Sequence, residues 1–193
     1  MTGYSRCRLL LIRASVTVLC SAVCSQSKAA DPCDISVLPK EIQTNLEKNF
    51  PDWQPERLEN LYEDDRQFWS RAHPRDCPGI AIGHFELKNE LSYAVLLISK
   101  PDRKRTGFRV IAFSRNGPSA QYVSHLVLRW NIGLLYQGSD EVIQTVPPGH
   151  YDAAMNRKNA DTDLDAILCA TMEKGAAVYY WRNGSYHELI TSE

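Results

Sequence analysis

The chain has no long hydrophobic run. Its most apolar stretch, Ala14 to Val23, is about ten residues, and a helix needs roughly 20 to cross a bilayer, so no stable membrane insertion is expected of the mature protein. There is no Gly-x-Ser-x-Gly elbow, no glycine-rich phosphate loop and no His-Glu-x-x-His. Those absences remove the usual serine-hydrolase turn, the nucleotide cradle and the zinc-peptidase helix. The five histidines, at positions 73, 84, 125, 150 and 187, are scattered without metal-ligand spacing. No internal repeat and no low-complexity linker divides the chain. No cofactor and no metal are expected.

What is present begins with location. Arg6, Arg8 and Arg13 precede the apolar stretch with no acidic residue among them, and Ser27-Lys28-Ala29 follows with small side chains at the two positions a signal peptidase reads. That order is a secretory signal peptide over residues 1–29. A lipidated Cys20 or Cys24 is disfavoured because bulky Leu19 and Val23 precede them. The mature part, residues 30–193, is expected to be one globular domain, periplasmic or secreted, with an ordinary hydrophobic core. It carries 18 basic against 23 acidic residues, a net charge of about −5. Nucleic-acid binders need the opposite balance, so no nucleic acid is expected as a partner.

Cysteine usage agrees with export. Cys7, Cys20 and Cys24 belong to the leader, leaving Cys33, Cys77 and Cys169. Cys33 and Cys77 stand in loop-like segments, Asp31-Pro32-Cys33-Asp34 and His73-Pro74-Arg75-Asp76-Cys77-Pro78-Gly79, and are expected to pair in an oxidising compartment. Cys169 sits in the apolar strand Ala166 to Ala170 and reads as a small buried hydrophobe.

Ser36 to Asn49 reads as the one clear helix, with Ile42, Leu46 and Phe50 at four-residue spacing. Arg57 to Trp69 reads as a short helix or an ordered loop over the sheet. From Gly79 onward the period changes to that of strands: Ile80 to Leu87, Leu91 to Ile98, Phe108 to Phe113, Gln121 to Trp130, then shorter runs around Val142-Ile143 and Leu164 to Ala170. Ala177 to Arg182 and Ser185 to Ile190, joined by Asn183-Gly184, form the strongest hairpin signal. The expected fold class is α+β, an N-terminal helix packed on a mainly antiparallel β-meander.

Candidate chemistry is thin. The alternating carboxylates of Asn159 to Asp165 invite a calcium reading, but Ala166 and Met172 stand where an EF-hand needs Gly and Glu. Glu63, Asp64 and Asp65 lie near Trp69, an acid-plus-aromatic grouping of the kind that cleaves sugars when two carboxylates face each other. The loop Val146 to Tyr151 is rigid and aromatic. With Trp53, Trp69 and the basic cluster Arg103, Lys104 and Arg105, its His150 and Tyr151 form the expected partner-binding set, since Trp, Tyr and Arg tend to anchor interfaces.

The cadence Asp76-Cys77-Pro78-Gly79, Ser92 to Leu97, Pro147 to Tyr151 and Tyr179 to Tyr186 resembles a group of small secreted bacterial proteins with no assigned activity. The resemblance implies export from a bacterial cell and a compact sheet domain, and it supplies no active-site residue. The expected function is a small exported binding module, for instance an inhibitor or immunity-type protein, that binds another exported or envelope protein; whether it also catalyses a reaction is left open. The alternatives are an exported hydrolase of cell-wall or polysaccharide material, or an envelope structural factor.

Overall fold

A computed structural model describes residues 31–100, 106–115, 117–118, 120–132, 139–154, 158–172 and 174–192. In chain order these form α1 (Lys40–Asn49), β1 (Trp53–Pro55), α2 (Glu63–Ala72), β2 (Ile80–Gly83), β3 (Ser92–Ser99), β4 (Thr106–Ser114), β5 (Val123–Ile132), β6 (Glu141–Val146), β7 (Gly149–Tyr151), β8 (Ala160–Thr162), β9 (Ala166–Thr171), β10 (Gly175–Arg182) and β11 (Ser185–Ser192). Short 3₁₀ turns at Ile35–Val37 and Leu58–Asn60 precede the two helices.

The expected α+β class is overturned. The described residues are mostly antiparallel β, in two principal sheets and a two-stranded ribbon, with two helices of ten residues each. The first sheet runs β1-β3-β4-β5, with β2 also paired to β3; the second runs β11-β10-β9-β6; β7 and β8 form the ribbon. The meander was therefore half of the answer: β3-β4-β5 and β9-β10-β11 are each meanders, but they belong to different sheets that share a core.

That core explains why β3 is apolar on both faces. Ala94 and Leu96, with Val110 and Ala112 of β4, meet Ile143, Ile167, Cys169 and Tyr179 of the second sheet. Val95 and Leu97, with Ile111 and Phe113, face the other way and are covered by Leu38, Ile42 and Leu46 around α1. At about 25 cal/mol per Å² of apolar surface removed from water, burial on both faces makes β3 the energetic spine. On the outer face of the second sheet, Trp69 of α2 packs with Leu61 and Val142.

Helix α1 starts later than the apolar spacing implied. Leu38 is held extended (φ −85°, ψ 143°) by the proline that follows it, and Pro39 is itself extended, so helical geometry begins at Lys40. The strand expected to run from Ile80 to Leu87 stops at Gly83, which places His84 beyond it; Phe85 then turns into the core and is fully buried. The β10–β11 hairpin forms as its Asn-Gly turn dictates, with φ of 52° at Asn183 and 83° at Gly184.

Cys33 and Cys77 are joined by a disulfide with a Cα–Cα separation of 4.9 Å, tying the N-terminal segment to the loop before β2. Cys169 is free and buried, and burial pushes its thiol up to about 12. Among the described residues no helix is long and apolar enough to cross a membrane.

One side of the two-sheet stack is closed and the other is open. On the closed side β2 meets β6: the Ile143 N–H donates to Pro78 O (2.8 Å) and Thr145 Oγ1 to Ile82 O (2.9 Å). On the opposite side the last strands of the two sheets, β5 and β11, are not paired with each other, and His125 of β5 meets Trp181 of β10 edge-on at 5.1 Å.

Candidate functional site

The residues expected to form a partner surface are dispersed. Trp53 lies half-buried on β1 in the cluster under α1, with the Arg109 guanidinium 4.3 Å above its ring. Trp69 is only 2% exposed, and its indole N–H donates to Asp76 O at 3.0 Å. It is a core residue, so its ring is withdrawn from any partner. His150 and Tyr151 stand on the β7–β8 ribbon. Arg103, Lys104 and Arg105 fall outside the described residues.

Within the ribbon, His150 is exposed and held by polar neighbours. Its Nδ1 lies 2.8 Å from Asp161 Oδ1, and its Nε2 3.2 Å from Asn159 Nδ2 and 3.3 Å from Asp152 Oδ1. The Asp161 hydrogen bond, followed by its charge, raises the imidazole above its usual range. The other carboxylate of this run that the strands engage, Asp165, accepts the His84 N–H at 2.8 Å. The acids from 159 to 165 therefore answer to separate neighbours. Among the described residues no group of three or more His, Cys, Asp or Glu is placed to hold a metal.

Glu63, Asp64 and Asp65 form the first turn of α2. Successive residues on a helix point in different directions, so these carboxylates do not face one another across a cleft. Glu63 binds Arg66 and accepts from Gln67 Nε2 (2.8 Å) on its own helix. Asp64 and Asp65 border a hollow of about 470 Å³ beside Phe68 and Met172.

The grouping that sequence reasoning missed lies on the open side. β5 is ten residues long and pairs with β4 alone. Among the described residues no backbone hydrogen bond reaches its outer edge, whereas the outer edge of β11 accepts one from Ala154 N–H to Ile190 O (2.8 Å). Val123 is 56% and Leu126 57% exposed, the two largest values among the big apolar side chains. A bulge opposite Val110/Ile111 separates Leu126 from Leu128 and sets them on different faces: Leu126 pairs with Ile111 on the α1 side, and Leu128 with Val110 on the core side.

His125 pairs with Ala112 and so looks into the gap between the sheets. Behind it lies Glu86, whose side chain is 6% exposed. Glu86 accepts from Ser114 Oγ at 2.5 Å and from Tyr186 OH at 3.0 Å, and His125 Nε2 stands 3.5 Å away, itself 33% exposed. Trp181 closes the group edge-on to His125 (5.1 Å) and to Tyr186 (5.0 Å). Two residue pairs along the hairpin, Tyr179 OH donates to Glu188 Oε1 at 2.5 Å. Burial first, then the Glu86 charge, drives the Tyr186 hydroxyl far above its ordinary value; burial and the Glu188 hydrogen bond do the same to Tyr179. Both phenols are thus fixed as neutral donors.

Two further acids, Glu56 and Glu141, are buried. Glu56 is fully buried; its Oε1 accepts the Arg57 N–H (3.0 Å), and its Oε2 has no hydrogen-bond partner among the described residues. Ser139 lies between it and Glu141, donating to Glu141 Oε2 at 3.1 Å. Burial raises each carboxyl to about 7.

No protein-family model, curated protein or solved structure matches the chain.

Proposed function

We propose that the protein is an exported binding module that takes an extended segment of a protein partner along the free edge of β5. The carrying observation is that edge itself: the ten-residue β5 pairs with β4 on one side, and the backbone groups on its other side have no partner among the described residues, with Val123 and Leu126 exposed on opposite faces. Edge strands are templates for pairing, and proteins that do not use them normally shorten, charge or cover them. Here Val123 and Leu126 are apolar and exposed beside the edge, among the exposed polar Ser124 and Arg129, and that mixture suits strand addition: the backbone supplies affinity and flanking side chains supply selectivity. The leader-like N-terminus and the Cys33–Cys77 disulfide support a periplasmic or secreted setting, where the partner is another exported or envelope protein. The hydrolase alternative on Glu63, Asp64 and Asp65 lacks a facing carboxylate and is set aside.

The test is capture of partners from the native cell envelope by the mature protein and by a Val123→Lys/Leu126→Lys variant. A stoichiometric partner held by the first and lost by the second, with both proteins folded by circular dichroism, supports the reading. A partner held equally by both refutes it.

A further inference from the structure

Resting on that edge-strand reading, we infer that the cleft between β5 and β11 selects a lysine or arginine side chain on the docked segment. A residue lying directly opposite His125 on an added strand carries its side chain to the same face, with its Cβ about 5 Å away. That face is the gap between the sheets, so the side chain enters beside the His125 and Trp181 rings, toward Glu86 on the first sheet's side and Glu188 on the second's. Glu86 is met by two neutral hydroxyls and by His125, and Glu188 by the neutral Tyr179 hydroxyl. Among the described residues no Lys or Arg pairs with either carboxylate. Two carboxylates with no Lys or Arg partner among the described residues, beside the rings of Trp181, Tyr186 and His125, give this face a negative potential next to π faces. A cationic side chain gains from both, since rings attract cations through their quadrupole and carboxylates through charge-assisted hydrogen bonds. An aliphatic side chain gains from neither, and an acidic one is repelled. The mature chain's 23 acidic against 18 basic residues steer a basic segment in the same sense.

The inference is tested by fluorescence anisotropy with labelled heptapeptides Thr-Val-Thr-X-Thr-Val-Thr, X being Lys, Arg, norleucine or Glu. A further Lys peptide is methylated on alternate backbone amides. The expected result is that Lys and Arg bind at least tenfold more tightly than norleucine, that Glu binds more weakly still, and that amide methylation abolishes binding. In Glu188→Gln, whose side chain is exposed, and in Glu86→Gln where it folds, the preference for Lys over norleucine shrinks while norleucine binding is retained. Binding that is blind to X yet lost on amide methylation overturns the cleft and leaves the edge reading standing. Binding that survives methylation, or no binding by any peptide, overturns both.

Discussion

Raising the pH from about 4.5 to about 7 lowers the stability of this fold, the reverse of what carboxylates in ion pairs do. Glu56 is fully buried, and its folded value of about 7 lies above the ordinary 4.5, because burial penalises its charged form. Between those two values the unfolded chain has lost the Glu56 proton while the native state retains it. Stability therefore falls as pH rises through that window and levels off above it. Each tenfold change in proton affinity corresponds to about 1.4 kcal/mol, so Glu56 alone accounts for about 3 kcal/mol, a large share of the 5–15 kcal/mol typical of a domain. Glu141, beside the same Ser139 and raised by burial and then by the Asp140 charge, acts in the same direction. Glu56→Gln keeps the shape and removes the titration. The assay is urea unfolding with the disulfide intact, at pH values from 4.5 to 8, reading ΔG from midpoint and slope. The wild type loses about 3 kcal/mol or more across the series and the variant distinctly less, so that the variant is the more stable protein at pH 8. A wild-type stability that is flat or rises over the same range refutes the reasoning.

Other consequences are as direct. Replacing Cys33 and Cys77 by Ala releases a cross-link of 44-residue separation, and loop-closure entropy puts the loss at about 4 kcal/mol; a urea midpoint that hardly moves would show that the link constrains little. Gly79→Ala places a Cβ 2.2 Å from Glu56 O and 2.8 Å from Glu56 C, backbone atoms that cannot swing aside. The expected loss exceeds about 3 kcal/mol, read as a collapse of the thermal midpoint, and a variant within about 1 kcal/mol of wild type contradicts that packing. Cys169, buried with its thiol pushed up to about 12, stays unlabelled by a thiol reagent at pH 8 until denaturant is added; prompt labelling of the native protein places it at the surface.

Elements whose causes are local were legible in the sequence. The four-residue spacing of Ile42 and Leu46 marked α1, and Asn183-Gly184 marked the last hairpin because few other residues adopt two successive positive φ angles. The disulfide was legible from two loop cysteines and an oxidising destination. What was not legible depends on distant partners. Which sheet a strand joins is decided by packing: β6 pairs with β9 across nineteen intervening residues, and no periodicity within β6 encodes that choice. Trp69 joined the expected partner-binding set because Trp tends to anchor interfaces, yet a helix places successive residues on different faces and Trp69 takes the one turned inward. The open-side site was hidden for the same reason, since Glu86 and Tyr186 are 100 residues apart. The available signal was weak: a glutamate flanked by Phe85 and Leu87 in an apolar run, where a carboxylate needs donors from elsewhere.

The two interior acid groups differ in a way that bears on function. Around Glu56 and Glu141, burial outweighs hydrogen bonding, one oxygen is without a partner, and the cost falls on stability. Glu86 is equally withdrawn, but both its oxygens receive hydroxyls from different strands, and the imidazole beside it reaches solvent. A carboxylate satisfied by neutral donors keeps its field without consuming it in an ion pair, and the low-dielectric walls of Trp181 and Tyr186 screen that field poorly. Placed beneath an unpaired strand edge, such a group discriminates among side chains brought in by backbone pairing, a task for which neither the edge nor the acid suffices alone. Glu56 and Glu141 therefore bear on how stability depends on pH, and Glu86 is where recognition is to be sought.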